Sequence, residues 1–332
     1  MCFLAGDIGG TNTRLIYFKQ TSAGRQIIAE TFYKSQEFVS FEIILTKFLT
    51  DNNLKNIDAA CLAVAGPVHS GNVSVTNLPW LLSEEKLKNE LNTSCVLLIN
   101  DFIAVAYGLC ELNNNDFLTL QSVESTSTID VNKDAVVIGA GTGLGVSHLI
   151  YMNGKYKPLP SETGHVSFSA HNKQQCDLLS WLFENEKHVS LESILSGRGL
   201  FTIYQFLKHK EGICESEIIK NKFVDSDPAQ VITEYALADT DALCVKTLET
   251  FIEIYGAAAS DIVLHYYPVS NLYIAGGIAV KIANQMTNGK FIDAFVNKGL
   301  MTSNMENITI KLIIEEKAGL MGAMAKAVSL LD

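Results

Sequence analysis

Much of what would place this chain elsewhere is missing from it. Six prolines in 332 residues and no low-complexity run give no sign of disorder. No basic stripe interrupts a net charge of -11, so counterion release gives no drive toward DNA or RNA, and nucleic acid is not an expected partner. No C-x-x-C pair exists among the seven cysteines, Cys2, Cys61, Cys95, Cys110, Cys176, Cys214 and Cys244. Their odd number and their setting, in apolar segments such as DAACLAVAG and TSCVLLIN, read as reduced, buried thiols in a cytoplasmic protein. No apolar run approaches the ~20 residues of a membrane span. The opening MCFLAGD has no basic n-region and its apolar run stops at Asp7, so it does not read as a signal peptide.

The two common nucleotide signatures are absent as well. The P-loop needs GxxxxGK[ST], and the chain holds no Gly-Lys-Ser or Gly-Lys-Thr. The dinucleotide fingerprint GxGxxG fails at its third glycine, because Val146 follows Gly141 and Gly143 there.

What is present is a long, well-patterned chain, 48% hydrophobic and 18% charged, too large for one simple core and so expected to form two domains or one split architecture. Residues 2–8 and 13–18 read as a strand pair around a glycine turn, with a further strand near 26–33. Residues 38–51 carry apolar positions at helical spacing, and 58–67 is a buried strand ending in Gly-Pro. Residues 83–91 form a short charged helix with Ser83 as N-cap, its capping box left incomplete by Lys86. SCVLLIN at 94–100 is the continuous apolar run of a strand buried on both faces, and the apolar helix FIAVAYGLC follows. That strand–polar–helix order is the α/β arrangement in which ligands gather at strand C-termini. Segment 112–134 is polar and weakly patterned and reads as a crossing between domains. A second strand–glycine turn–strand unit spans 135–150, residues 171–210 and 228–265 are mainly helical, and 271–280 is an apolar strand broken at Gly276-Gly277. ITIKLIIEE at 308–316 is a last strand before a C-terminal helix.

Three glycine units stand out: DIGGTNT, GAGTGLG and AGG. Glycine turns let backbone N–H groups converge on an anion with no Cβ in the way. Thr11, Asn12, Thr13 and Thr142 add side-chain donors, and Asp7, which would repel a bare phosphate, suits a Mg²⁺ carried in with it. Each turn alone is also what an ordinary hairpin needs. Two of them, each inside a strand–turn–strand, resemble the halves of a duplicated nucleotide clamp.

DIGGTNTRL, LINDF, GAGTGLGV, LPSETGHVSF, LESILSGRGL and IAGGI occur in the order and spacing seen in bacterial-type glucokinases of the hexokinase–actin–Hsp70 superfamily. The resemblance runs from residue 4 to GLMG at 319–322. It implies an α/β fold of two actin/ribonuclease-H-like domains with a ligand cleft: a small domain of residues 1–111 plus 315–332, and a large one of residues 112–314. It implies ATP with Mg²⁺ as phosphoryl donor, glucose as acceptor and a homodimer. The phosphate turns are then Asp7, Gly9, Gly10, Thr11 and Asn12, then Gly141, Thr142 and Gly143, then Gly276 and Gly277. No direct protein ligation of the metal is expected, with Asp7 nearby.

The sugar site follows residue by residue. Asp101, at the end of the buried strand, is the expected general base; its alternative role is N-cap of the helix from 102. Asn100 beside it can accept from one hydroxyl and donate to another, or simply form a turn. The resemblance makes Glu162, His165 and Glu192 sugar contacts, and Thr76 and Asn77 match a segment near the sugar. Glu192 also suits the first turn of a helix capped by Ser190. The chain has Ser-Glu-Thr-Gly-His where the family has Gly-Glu-Gly-Gly-His, so two side chains enter the loop and bear on sugar selectivity. The related repressor/kinase (ROK) branch carries a zinc motif of closely spaced cysteines. His165, His171 and Cys176 lack that spacing, and no structural zinc is expected. Two alternatives stay open: a kinase for another hexose such as mannose or an amino sugar, or a non-catalytic nucleotide-binding regulator on the same fold.

Overall fold

The computed structural model describes residues 1–123, 134–152, 155–210 and 212–331, with Lys155 described by its backbone alone. The chain divides into two compact units, one of Met1–Asn114, Lys155–Pro158 and Glu315–Asp332, the other of Asn115–Gly154 and Leu159–Ile314.

In the first unit β1 (Cys2–Ile8), β2 (Asn12–Thr21) and β3 (Gly24–Lys34) form an antiparallel meander. After α1 (Phe41–Asp51), β4 (Ala59–Val64) pairs parallel with β1. A small sheet of β5 (Val68–His69), β6 (Asn72–Ser74) and β7 (Leu81–Ser83) leads into α2 (Glu84–Leu91), then β8 (Val96–Asn100) and α3 (Asp101–Gly108). The main sheet runs β3-β2-β1-β4-β8. β4, AACLAV, is buried at every position, as a parallel strand covered on both faces must be. One face packs on Phe41, Ile44, Leu45 and Phe48 of α1; the other packs Phe3, Phe18 and Cys61 under Leu320, Ala323 and Ala327 of the C-terminal helix, Ala318–Val328. Burying each large apolar side chain is worth about 1.5–3 kcal/mol. The C-terminal helix lies almost backbone to backbone on α3: a Cβ added at Gly322 would sit 1.8 Å from the Ala104 carbonyl oxygen. The helix that begins with Asp101 is therefore pinned by the far end of the chain.

The second unit carries the same strand order, with an extra edge. β9 (Phe117–Gln121), β10 (Ala135–Ala140), β11 (Leu144–Met152), β12 (Lys155–Ser161, of which Leu159–Ser161 belong to this unit), β13 (Asn271–Ala275) and β14 (Thr309–Ile313) form a sheet ordered β12-β11-β10-β13-β14-β9. β10 is antiparallel to β11 and parallel to β13, which is parallel to β14. Between β12 and β13 run α4 (Lys173–Leu182), α5 (Leu191–Ile194), α6 (Gly197–Lys210), α7 (Glu217–Asp225), α8 (Pro228–Leu237) and α9 (Ala242–His265). The 24-residue α9 buries Phe251, Tyr255 and Ala259 in the core.

Several sequence expectations need correcting. The apolar stretch 271–280 is a strand only to Ala275; Gly276, at φ +93°, turns the chain out of the sheet and α10 (Gly277–Lys281) begins. The helix expected over 38–51 starts at Phe41, leaving Val39 80% exposed. Segment 112–134 holds a short turn and β9 before residues 124–133, which lie outside the described residues. Ser83 stands at the N-cap of α2 with no side-chain cap bond. Cys61 and Cys244 are buried, but Cys110, Cys176 and Cys214 are exposed.

Candidate active site

In the first unit, the turn 9–12 joins β1 to β2, closed by the Gly9 N–H donating to the Asn12 carbonyl at 2.8 Å. Thr11 and Asn12 are exposed on it. A residue with no obvious sequence signal holds it from below. The Ser35 hydroxyl donates to the Gly9 carbonyl at 2.8 Å and lies 2.9 Å from the Thr13 hydroxyl, while the Ser35 N–H donates to the Thr11 carbonyl at 2.8 Å. Thr13 and Ser35 are fully buried, so Thr13 serves the scaffold rather than a ligand. Thr76 and exposed Asn77 flank the same turn: a Cβ on Gly10 would lie 2.7 Å from the Thr76 carbonyl oxygen. Asn77 adopts the left-handed conformation, φ +64°, which an asparagine tolerates.

Ile8, Val64 and Asn100 are aligned across β1, β4 and β8, so Asp7 and Asp101 come to the same sheet edge. Asn100 is the true N-cap of α3. Its Oδ1 accepts from the N–H groups of Phe102 (3.0 Å) and Ile103 (3.3 Å), and its Nδ2 donates to the Gly66 carbonyl at 3.1 Å. Its side chain also hydrogen-bonds the Asp101 carboxyl. Asp101 thus occupies the first helical position, not the cap, and its Oδ1 accepts from the Phe102 N–H at 2.9 Å. Burial and the negative charge of Asp7 push the Asp101 carboxyl up to about 6, against the opposing pull of the backbone and Asn100 hydrogen bonds. Burial also raises Asp7, opposed by Arg14. Arg14 is itself turned to Glu30, with Nε 2.6 Å from Oε1.

In the second unit, the turn 141–143 joins β10 to β11 and is closed by the Gly141 N–H donating to the Gly143 carbonyl at 2.8 Å. Gly276 abuts it: β10 and β13 run side by side, and a Cβ on Gly276 would meet the Ala140 carbonyl oxygen at 2.5 Å. Gly277 is exposed at the start of α10. The fully buried Tyr255 hydroxyl accepts the Ala140 N–H at 3.2 Å, a support drawn from the middle of α9. Glu192 lies in the first turn of α5, where Ser190 is the N-cap as expected, its Oγ accepting from the Ser193 N–H at 3.1 Å. Its Oε2 accepts the Leu144 N–H at 3.0 Å, and its Oε1 is 3.7 Å from an Arg198 guanidinium nitrogen. Glu162 and His165 project from a tight turn after β12, both exposed, with Glu162 Oε2 3.8 Å from His165 Nε2. In that turn the Ser161 and Thr163 hydroxyls bond each other, and Ser161 Oγ accepts the Thr163 N–H at 3.0 Å. His171 lies instead in an ion cluster, 2.8 Å from Asp261, which Lys298 also contacts at 2.6 Å. Among the described residues no three His, Cys, Asp or Glu side chains gather as a metal site.

Each unit thus pairs a glycine turn with carboxylates at the C-terminal edge of a ribonuclease-H-like sheet, which is the architecture of a sugar-phosphorylating kinase. The glucokinase family model matches residues 4–330. Glucokinase of a Nostoc species is 37% identical over 96% of this chain and 97% of its own. The crystal structure of a glucokinase from an Antarctic psychrotroph, 30% identical, superposes with a TM-score of 0.82 over 99% of both chains. Glucokinase from Balamuthia mandrillaris, solved with glucose, shares the fold at a TM-score of 0.80 and 21% identity, over 98% of this chain and 93% of that one. This chain belongs to the glucokinase family.

Proposed function

We propose that the chain transfers the γ-phosphoryl group of ATP to the 6-hydroxyl of D-glucose, with Asp101 as general base. The observation that carries the reading is the placement of Asp101: a carboxylate at the β8–α3 junction, oriented by the Phe102 N–H, with its proton affinity raised to about 6. At neutral pH such a group is ionised yet basic enough to take a proton as it is released. As the sugar oxygen attacks phosphorus, its proton passes to Asp101, the new O–P bond forms, and the bond to the departing ADP oxygen breaks. The transition state is loose, so most of the rate comes from positioning and from stabilising charge.

The remaining residues divide that work. Asn100 offers its carboxamide beside Asp101, and Glu162, His165 and Glu192 offer acceptors and a donor, to the other sugar hydroxyls, with Asn77 at the margin. Gly9, Gly10, Thr11 and Asn12, together with Gly141, Thr142, Gly143, Gly276 and Gly277, provide backbone and hydroxyl donors for the phosphates. Mg²⁺, carried in with the nucleotide, would supply charge neutralisation on the transferring group. Half-buried Asp7 fits a role beside such an ion better than beside a bare phosphate. The family pattern also leads us to propose a cytoplasmic homodimer. Among the described residues no helix is long and apolar enough to cross a membrane.

A second reading, a kinase for another hexose, draws on the Ser161–Thr163 hydroxyl pair, which closes the Glu162 loop where the family pattern has two glycines. Rates with ATP, Mg²⁺ and glucose, set beside mannose, fructose and N-acetylglucosamine, separate the readings. Strong preference for glucose is expected. Preference for another sugar makes the 161–165 loop the selectivity element, and no turnover with any sugar would leave a non-catalytic regulator.

A further inference from the structure

The second unit's candidate sugar residues and its glycine turn meet at one residue, Leu144. The Leu144 N–H, at the exit of the turn, donates to Glu192 Oε2, and a Cβ added to Gly143 would lie 2.5 Å from that same oxygen. On the other side of Leu144, a Cβ on Gly164 would come within 2.4 Å of the Leu144 carbonyl oxygen, so the Glu162–His165 turn rests on it. The two segments are also stitched together. The Leu191 N–H donates to the Val166 carbonyl at 2.9 Å and the Phe168 N–H to the Val189 carbonyl at 2.8 Å. The entry side of the turn has separate supports, Tyr255 on Ala140 and the Gly197 N–H on the Gly141 carbonyl at 2.9 Å. The exit is held by Glu192.

We propose that Glu192 is a positioning residue as well as a sugar contact, one oxygen fixing the exit of the 141–143 turn while the other faces ligand, so that sugar binding tightens nucleotide binding. The proposal rests on the reading of that turn as a phosphate site. A carboxylate accepts through both oxygens, so a hydroxyl on Oε1 leaves the Leu144 bond intact and restricts the side chain to the rotamer that makes it. A contact serving only sugar has no need of the turn's backbone. In a strut, any oxygen acceptor of the same reach suffices, so glutamine can replace glutamate there although its charge is gone.

The test is the affinity of Mg-ADP for the full chain in the absence of sugar, by calorimetry, for wild type, Glu192→Gln and Glu192→Ala. Glu192→Ala should weaken binding roughly tenfold, as loss of a hydrogen bond to a charged acceptor would. Glu192→Gln should stay within about twofold, its carboxamide oxygen still accepting from Leu144. Unchanged Mg-ADP affinity in Glu192→Ala, with only the glucose KM raised, overturns the proposal. So does a wild type that binds no Mg-ADP, which also removes the phosphate reading of the turn. A wild type that binds Mg-ADP but phosphorylates no sugar defeats the kinase reading; the strut then stands or falls on the alanine variant. Should that variant not fold, amide hydrogen exchange at Leu144 in wild type decides. Glucose alone should slow it about threefold or more, and exchange unaffected by bound glucose contradicts the coupling.

Discussion

The two units solve the same problem with different parts. Each has a meander of three strands, two further parallel strands, and a glycine turn between the first two strands of the series. In the first unit the acid is built into the strand itself, Asp7 in β1, with Asp101 on α3, and burial together with the charge of Asp7 raises the proton affinity of Asp101. In the second unit β10 is AVVIGA, with no acid in it, and the carboxylate at the turn is brought from α5. The supports differ to match. A serine one strand away braces the first turn; a tyrosine from a long buried helix and Glu192 brace the second. The comparison teaches that a repeated framework fixes where a turn points, while the acid beside it decides what the turn does. On the proposed reading, the paired, half-buried carboxylates make the first unit the reactive one, and separate donors and acceptors make the second the binding one.

The sharpest way to break that division is Asp101→Asn. A general base is worth about 10²–10⁴ in rate, and a loss of that size is expected in kcat with the fold retained. Stability should move the opposite way. The folded carboxyl holds its proton more tightly than the unfolded one, so native stability falls as pH rises from about 4 to about 6 and stays reduced above that. Removing the charge should therefore raise stability at neutral pH, on the order of 1 kcal/mol after allowing for partial exposure. A thermal melt of both proteins at pH 7 checks the sign.

Next in size is the helix crossing that places Asp101. Gly322→Val forces side-chain atoms into the α3 backbone, with an expected cost near the top of the overpacking range, about 3 kcal/mol. Urea titration followed by turnover should show unfolding and activity lost together. A smaller effect separates the two turns' braces. Tyr255→Phe leaves the buried Ala140 N–H unpaired, and Ser35→Ala does the same to the Gly9 carbonyl; each should cost about 1–2 kcal/mol in denaturant melts. If either is neutral, that turn does not depend on its brace. The smallest is Asp261. Burial raises its pKa, but hydrogen bonds from His171 and Lys298 outweigh that and hold it below the usual range. Its contribution is present above about pH 4 and lost as pH falls through the lowered value, so Asp261→Asn should flatten the acid side of the stability profile by about 1 kcal/mol.

The strands and glycine turns were legible because each carries its signal locally. Continuous apolar runs such as AACLAV and AVVIGA mark strands covered on both faces, and an acid before Gly-Gly-Thr marks a turn with a purpose. Asp101 was legible as a strand-end carboxylate, though Asn100, not Asp101, caps the helix; the two are neighbours and either residue type caps well. The stretch IAGGIAV hid a change of element because a short apolar run reads alike as strand or buried helix, and only the backbone conformation at Gly276 decides. Ser35, Tyr255 and the Leu144 junction were not legible at all. Ser35 reaches Gly9 across 26 positions and Tyr255 reaches Ala140 across 115, and no local pattern announces a hydroxyl spent on a distant peptide group.

The central claim is that Asp101 takes the proton of the sugar hydroxyl, and the pH dependence of kcat/KM for glucose tests it most directly. The profile should fall about tenfold per pH unit below an inflection near 6. The residual activity of Asp101→Asn should show no such inflection. An inflection that survives unchanged in Asp101→Asn, or turnover undiminished by the substitution, would contradict the account and return the search for the base to Asp7.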